Sequence, residues 1–400
     1  IIGAGAGNFI KDSTGSSLVG GRDNTITGVE SSLVGGVSNA ISGNRSVLVG
    51  GSGNKVFGDE IVLIGGKGNT ASGQFVNLFA GENNNVTGVA STIVAGRQND
   101  ISNSDDSSIG AGQLNAIINS SKSSVNAGGG NKLYNSANSS VAAGEGNDIT
   151  GSNRSLVGAG KNNLLSGSND SSINAGEGNE LKTSNKSLIA VGSGNLITGS
   201  ESSAIIGGNA NQIKDSTASI MGAGSGNLIE DSTGSSLVGG RSNIISGVES
   251  SLVGGASNSI SGDRSVLVGG VGNSVFGDEI VLVGGKNNTA SGQFVTLFAG
   301  EDNNITGTGS TIVAGRKNGI KNSQDCSIGA GTGHLMTNAK RSSINAGHDN
   351  IFLNSDDSSV AAGTANNLTN STTSLIGAGR SNKLTDSHAS AINAGTGNEI

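Results

Sequence analysis

Residues 31–45 read SSLVGGVSNAISGNR, and residues 46–60 read SVLVGGSGNKVFGDE. Both stretches are variants of one unit, in which Leu-Val-Gly-Gly is followed three residues later by Asn. The unit recurs every 15 or 16 residues through the 400-residue chain. A short fixed period without a helical pattern is typical of a solenoid, whose coils bury their apolar sides against their neighbours. The sequence therefore predicts an all-β fold, a parallel β-solenoid with two short strands per coil, forming one continuous rod over residues 1–400.

Asparagine marks the repeat at 25 of 26 equivalent positions, and His334 occupies the remaining one. An amide carries both donors and acceptors, so stacked amides can bond from coil to coil. Asn also tolerates the left-handed backbone region at a turn. Both explanations fit the sequence. We expect a structural ladder at Asn24, Asn39, Asn54, Asn69, Asn84, Asn99, Asn115, Asn131 and Asn147.

The first strand of each coil follows this Asn. Ile26 stands between Thr25 and Thr27, a pattern that indicates a half-buried strand. Gly or Asn-Ser then usually interrupts the strand, and we expect these residues to supply a turn with positive φ. They are Gly28, Gly43, Gly58, Gly73, Gly88, Asn119-Ser120 and Gly151-Ser152.

The second strand is apolar at adjacent positions. Successive strand residues point to opposite faces, so such a strand is buried on both sides. One face can fill the coil, and the other must cover something else, most simply a second copy of the chain. The expected oligomer-packing strand comprises Leu18, Val19, Leu33, Val34, Leu48, Val49, Leu156 and Val157.

The 16-residue coils contain one residue more than the others. In most of them Gly-Gly becomes Gly-Ala-Gly or Asn-Ala-Gly, which places the extra residue after the second strand. The coils that start at Asn8 and Asn227 instead lengthen the other turn. Insertions at turns leave a strand ladder intact.

A longer repeat lies over the short one. Residues 16–59 match residues 235–278 at 36 of 44 positions, an offset of 219 residues. The chain thus holds a first copy of a 14-coil module in 1–219 and a partial second copy in 220–400. Duplication of so large a module favours a structural fibre, in which length matters.

Composition and charge exclude several classes of function. The net charge is -7 and basic residues form no stripe, which argues against nucleic-acid binding. No run approaches the ~18 apolar residues of a membrane span. The chain lacks Pro, which cannot donate to a β ladder. Both ends fall within a coil, so we expect the chain to be part of a longer protein that carries export and anchoring signals.

No enzyme or cofactor site is indicated. Cys326 is the single cysteine, and His334, His348 and His388 form neither a metal-binding spacing nor a catalytic triad with it. We expect these histidines to be exposed turn residues. The Gly-x-Gly runs lack the helix that a phosphate-binding loop requires. Nonapeptide calcium repeats are absent, and charged and bulky residues interrupt any threonine array of the ice-binding kind.

The unit Ser-x-Leu-Val-Gly-Gly-x-x-Asn-x-Ile-x-Gly resembles the head repeats of trimeric autotransporter adhesins, the YadA-like or haemagglutinin-type repeats. This resemblance covers essentially the whole chain. It implies a left-handed parallel β-roll, three chains around one axis, and a bacterial surface fibre that binds matrix or cells. The family period is usually shorter, and its Asn is less regular. Similar repeats also resemble those of phage-like tail fibres and giant bacterial surface proteins.

The expected function is that of a non-enzymatic extracellular fibre or adhesin, a stiff rod for attachment at the bacterial cell surface. The expected partners are further copies of the chain, with a trimer favoured, and a host or neighbouring-cell surface or matrix. The alternative is a self-assembling filament or sheath subunit that has no specific receptor.

Overall fold

The computed structural model describes residues 1–400, which form two compact units, Ile1–Gly207 and Gly208–Ile400. Each unit is a parallel β-solenoid with two short strands per coil and no helix. The predicted fold class is therefore confirmed. One continuous solenoid over residues 1–400, with copies 1–219 and 220–400, stays a prediction.

The strand that follows the repeating Asn pairs with its equivalents to form what we call the asparagine sheet of each unit. In the first unit its strands are Phe9–Ile10, Thr25–Ile26, Ala40–Ile41, Lys55–Val56, Thr70–Ala71, Asn85–Val86, Asp100–Ser102, Ala116–Ile118, Lys132–Tyr134, Asp148–Thr150, Leu164–Ser166, Glu180–Lys182 and Leu196–Thr198. In the second unit they are Gln212–Lys214, Leu228–Glu230, Ile244–Ile245, Ser259–Ile260, Ser274–Val275, Thr289–Ala290, Asn304–Ile305, Gly319–Lys321, Leu335–Thr337, Ile351–Leu353, Asn367–Thr369 and Lys383–Thr385.

The other strand usually follows a buried Ser, and it forms the serine sheet of each unit. In the first unit its strands are Ser17–Val19, Ser32–Val34, Val47–Val49, Val62–Ile64, Asn77–Phe79, Thr92–Ile93, Ser108–Ile109, Ser124–Val125, Ser140–Val141, Leu156–Val157, Ser172–Ile173, Leu188–Ile189 and Ala204–Ile205. In the second unit they are Ile220–Met221, Ser236–Val238, Ser251–Val253, Val266–Val268, Val281–Val283, Thr296–Phe298, Thr311–Ile312, Ser327–Ile328, Ser343–Ile344, Ser359–Val360, Leu375–Ile376 and Ala391–Ile392.

Equivalent residues of successive coils stand directly above one another. Leu33 pairs in parallel register with Leu18 of the preceding coil and Leu48 of the next. Ile41 pairs in the same way with Ile26 and Val56. Each of these side chains therefore has a similar side chain above and below it, so residues that pack well in one coil also pack well at the same positions of the next.

The interior of a coil is small and half polar. In the coil that starts at Asn39, the side chains of Asn39, Ile41, Ser46 and Leu48 are buried. A fully buried aliphatic side chain stabilises by about 1.5–3 kcal/mol, whereas ordering one residue's backbone costs about 1–2 kcal/mol. Two aliphatic residues cannot offset the ordering of a 15-residue coil, so each coil depends on the neighbours that cover it.

The expected location of the extra residue in most 16-residue coils is wrong. The buried Ser comes seven positions after the ladder Asn in a 15-residue coil (Asn39 and Ser46) and eight positions after it in a 16-residue coil (Asn147 and Ser155). From the buried Ser to the next Asn there are always eight. The extra residue lies in the turn after the asparagine strand, where the 16-residue coils extend that strand to three residues.

The expected positive φ at the turns is confirmed at Asn119 and Gly151 of the 16-residue coils, but it is wrong for four of the five glycines of the 15-residue coils. Gly28, Gly43, Gly58 and Gly88 do not have positive φ, whereas Gly73 does. Glycine is required there because the next coil is very close: a Cβ on Gly43 would lie 1.6 Å from the carbonyl oxygen of Gly58. In 16-residue coils the turn is wider, and a buried Ser such as Ser136 fits at this place.

Candidate functional site

The repeating Asn links each coil to the next through the main chain. The main-chain N–H of Asn54 donates to Oδ1 of Asn39 at 3.0 Å, and Nδ2 of Asn39 donates to the carbonyl oxygen of Gly51 at 3.1 Å. Direct bonds between two amide side chains occur in some coils only, as from Asn131 to Asn115 at 3.2 Å. Oδ1 accepts a main-chain N–H of the next coil at every expected ladder position: Asn24, Asn39, Asn54, Asn69, Asn84, Asn99, Asn115, Asn131 and Asn147.

The second explanation for the repeating Asn, the left-handed backbone, does not apply to it. None of the nine ladder asparagines has positive φ. The residue before each one does, for example Ser38 at 56° and Leu114 at 60°. The side-chain hydrogen bonds therefore explain why Asn recurs at this position. The residue before it has positive φ and differs in type from coil to coil.

A second polar ladder runs along the opposite turn, and sequence reasoning missed it. The main-chain N–H of Ser46 donates to Oγ of Ser31 at 3.1 Å, and the same Oγ donates to the carbonyl oxygen of Gly43 at 2.8 Å. One hydroxyl thus satisfies a donor and an acceptor of the next coil. The signal was present, since a Ser recurs seven or eight residues after most ladder asparagines.

Cys326 replaces the ladder Ser in one coil of the second unit. Its main-chain N–H donates to Oγ of Ser310 at 3.2 Å, and its thiol donates to the carbonyl oxygen of Ala339 at 3.3 Å. The side chain is buried, and burial raises the pKa of the thiol. Its position gives it a structural role in the ladder.

His334 replaces the ladder Asn, and the expectation that it is an exposed turn residue is wrong. It is buried, and its Nδ1 accepts the main-chain N–H of Asn350 at 3.2 Å. Its Nε2 has no hydrogen-bond partner. Burial lowers the pKa of His334, a shift that the nearby Asp349 carboxylate opposes. The other two histidines, His348 and His388, are exposed.

The two faces of the serine strand separate its apolar residues. Leu18, Leu33 and Leu48 are buried inside the coils. Their neighbours Val19, Val34 and Val49 lie on the outer surface and are 36% to 48% exposed. Of the residues expected to pack against a partner in these three coils, only this outer set is accessible.

In the 16-residue coil at 155–157, the order is reversed. Val157 is buried and Leu156 is exposed, because the apolar pair begins one residue after the buried Ser155, whereas Leu33-Val34 begins two residues after the buried Ser31. Ser155 is the buried ladder Ser, and the residue two positions after it points inward, as Leu33 does after Ser31. The two apolar pairs are therefore oriented differently. The first residue is buried in Leu33-Val34, and the second is buried in Leu156-Val157.

The main cavity of the first unit is an open groove of about 980 Å³. A run of glycines, 128–130, forms its floor, and Arg97 and Glu145 stand beside it. The N–H groups of Gly129 and Gly130 already donate to carbonyl oxygens of neighbouring coils, at 3.0 and 2.9 Å. These two N–H groups are therefore not available to a phosphate or another anion.

Charged residues at the turns pair between coils. Arg45 donates to Glu60 at 2.6 Å, Arg154 to Asp170 at 2.6 Å and Arg341 to Asp357 at 2.6 Å. The hydrogen bond from Arg154 holds the pKa of Asp170 below its usual range. No group of three or more His, Cys, Asp or Glu side chains is arranged to hold a metal ion. The structure has no helix of the length and apolarity that a membrane crossing requires.

Comparison with known proteins adds little. No family model and no curated protein matches the chain. Solved structures that match include a protein described as an acetyltransferase from Desulfovibrio desulfuricans G20 (12% identity, 58% of this chain, TM-score 0.14). Another is an Arabidopsis UDP-N-acetylglucosamine acyltransferase (12% identity, 67% of this chain, TM-score 0.12). The chain spans 63% and 65% of the lengths of these two proteins. At such TM-scores, these similarities assign no function.

Proposed function

We propose that the chain is part of a non-enzymatic extracellular fibre at a bacterial cell surface, used for attachment. The observation that carries the proposal is the pair of buried polar ladders. Asn39 and Ser31 each bond to the main chain of the next coil, and their equivalents do so coil after coil. Such ladders resist bending and stretching because every coil is held at two turns as well as by its strands.

The rest of the molecule is consistent with a mechanical role. Side chains fill the interior of the coils, as Asn39, Ile41, Ser46 and Leu48 do in one of them. The chain has one Cys and three His, and two of these four residues, Cys326 and His334, serve in the ladders. The resemblance to trimeric adhesin head repeats adds the left-handed winding, the trimer and the adhesive use to the proposal.

Adhesion is tested with the purified chain coupled to beads. Beads that carry the chain should bind matrix-coated or cell-coated surfaces several times more than beads that carry albumin. A control chain with Arg45→Ala and Arg154→Ala, which removes exposed ion pairs only, should bind equally unless these turns form the adhesive surface. Binding at the level of albumin beads would refute adhesion.

The alternative is a self-assembling filament with no receptor, and one observation favours it. The chain has no Trp and a single Tyr, Tyr134, so the other exposed aromatic side chains are Phe. Binding hot spots are enriched in Trp and Tyr. Electron microscopy of the concentrated chain distinguishes the two functions, because filaments that form without any added ligand support the alternative.

A further inference from the structure

The outer face of the serine sheet differs between the two kinds of coil. In the five 15-residue coils of the first unit and the coil before them, the residue after the buried Leu or Ile is large and apolar. We call these residues the first apolar stripe: Val19, Val34, Val49, Ile64, Phe79 and Val94. The next six coils have small or polar residues at this place: Gly110, Asn126, Ala142, Gly158, Asn174 and Ala190.

The second unit repeats this segregation 219 residues later. Its second apolar stripe comprises Val238, Val253, Val268, Val283, Phe298 and Val313. The coils that follow have Gly329, Asn345, Ala361, Gly377 and Asn393 at the same place. An unbroken run of outward apolar residues is thus confined to these coils, whereas the 16-residue coils have only scattered ones such as Leu156 and Ile206.

The stripes are large for an exposed surface. The six residues of the first stripe are 36% to 48% exposed, which amounts to roughly 400 Å². A stable interface buries about 800 Å² on each partner. One stripe supplies about half of that area on each copy, and the 219-residue repeat gives each unit one such stripe.

A column of residues without side chains follows the first stripe along the chain. Gly35, Gly50 and Gly65 are half-buried, and a Cβ on any of them would meet nothing within 4 Å. The stripe is therefore a ridge, and the column beside it is a shallow groove that alanine continues at Ala80 and Ala95. In the second unit Gly254, Gly269 and Gly284 form the same groove.

We propose that the apolar stripes are where a second copy of this chain packs, with the coils of the two copies parallel and level with one another. Rotation about an axis parallel to the stack of coils sets the ridge of one copy over the groove of the other. An antiparallel arrangement instead sets ridge against ridge. The parallel arrangement also keeps identical coils at the same height, and it suits two copies or three around one axis.

A second copy is the occupant that fits this surface best. The ridge and groove repeat with the spacing of the coils over six coils, and another copy repeats with the same spacing. Every large side chain of one stripe then meets a glycine or alanine of the other. This inference rests on the proposed assembly of several copies, and it names the coils that make the contact.

The test uses the full chain with paired substitutions at equivalent sites of the two stripes. V34K/V253K and V34E/V253E place like charges in the contact, whereas A142K/A361K places lysine at the same outer position of 16-residue coils. Light scattering over a range of concentrations measures association. The first two variants should associate at least about 100-fold more weakly than the wild type, and the control should associate normally. Circular dichroism checks that all variants are folded.

Mixing the two charged variants tests the orientation. In parallel, level copies, Lys at position 34 meets Glu at the same height, so a 1:1 mixture should associate although neither variant does alone. Failure of the mixture would overturn the parallel arrangement. Normal association of V34K/V253K would overturn the stripe as the contact, and a wild type that is monomeric at every concentration would refute the proposed assembly itself.

Discussion

The main-chain N–H of Asn54 donates its hydrogen bond to the side-chain Oδ1 of Asn39, 3.0 Å away in the preceding coil. Both groups are buried. The strands pair the straight parts of the coils, but a turn leaves main-chain groups that strand pairing does not reach. The amide of Asn satisfies them because it presents an acceptor on one side and two donors on the other.

The first prediction concerns this amide. Asn39→Ala leaves the N–H of Asn54 without its acceptor in a buried place, which costs about 1–3 kcal/mol. The bonds from Nδ2 to the carbonyl oxygens of Gly50 and Gly51 are also lost. We expect the free energy of unfolding to fall by about 2–3 kcal/mol. Chemical denaturation gives the total, and hydrogen exchange of the Asn54 amide shows whether the loss is local.

The control for this change is Asn77→Ala, because Asn77 lies on the outer face of the serine sheet. The free energy of unfolding of this variant should differ from that of the wild type by no more than about 0.5 kcal/mol. An equal loss in both variants would mean that the repeating Asn is not special, and that any shortened side chain weakens the coil.

The second prediction concerns pH and His334. Burial lowers the folded-state pKa of His334 below its usual value, and Nδ1 needs its lone pair to accept the N–H of Asn350. The unfolded chain therefore takes up a proton before the folded chain does. The contribution of His334 to the free energy of unfolding is constant above about pH 6.5. Below that pH the free energy of unfolding falls by up to about 1.4 kcal/mol per pH unit until the pKa of His334 in the folded chain is reached.

His334→Asn should remove this pH dependence, because Asn restores the ladder and carries no titrating proton. His388→Asn is the matched control, since His388 is exposed and contacts only Thr372 through a hydrogen bond of 2.7 Å. The measurement is thermal unfolding of the three proteins between pH 4 and pH 8. A wild type and His334→Asn variant with parallel curves would show that His334 does not titrate on unfolding.

Much of the fold can be predicted from the sequence because the same pattern of residues recurs in every coil. The period predicts stacked coils, and the regular Asn predicts a ladder between them. The orientation of Leu156-Val157 could not be derived from an apolar pair alone, since either residue can point inward. The buried Ser155 fixes it, and that serine acquires its role only when coils are stacked.

The same reason explains the errors at the turns. Gly28 and Gly43 look like ordinary turn glycines, and only the distance to the next coil reveals that a Cβ is excluded there. His334 was expected outside because His is usually polar and exposed, but its column in the repeat is a buried one. In a solenoid the neighbour that decides a residue's surroundings is 15 or 16 positions away.

The third prediction uses Cys326 as a reporter of coil opening. Burial raises the pKa of its thiol and hides the sulfur from reagents. Alkylation by iodoacetamide at pH 8 should be at least ~10³-fold slower in the folded chain than in denaturant, because it requires local opening. Mass spectrometry follows the reaction. The control is the double variant Ser193→Cys/Cys326→Ser, because Ser193 is exposed. Its thiol should react at the same rate in the folded chain and in denaturant. If Cys326 reacted that fast in the folded chain, its coil would be open.

The fourth prediction compares two glycines. A Cβ on Gly43 would lie 1.6 Å from the carbonyl oxygen of Gly58, so Gly43→Ala must push two coils apart. We expect a loss of about 3 kcal/mol or more, measured by denaturation. Gly129 differs, because a Cβ there has 3.7 Å to its nearest neighbour and φ is not positive. The equivalent residue of the second copy is His348, which shows that this place accepts a side chain.

Gly129→Ala should therefore be neutral, or stabilising by up to about 1 kcal/mol through a less flexible unfolded chain. Neither glycine has positive φ, so the contrast isolates the closeness of the next coil as the reason for glycine at Gly43. If Gly43→Ala is as mild as Gly129→Ala, the turns can spread without loss of stability, and the stiffness that the fibre proposal requires would not come from the close stacking of coils.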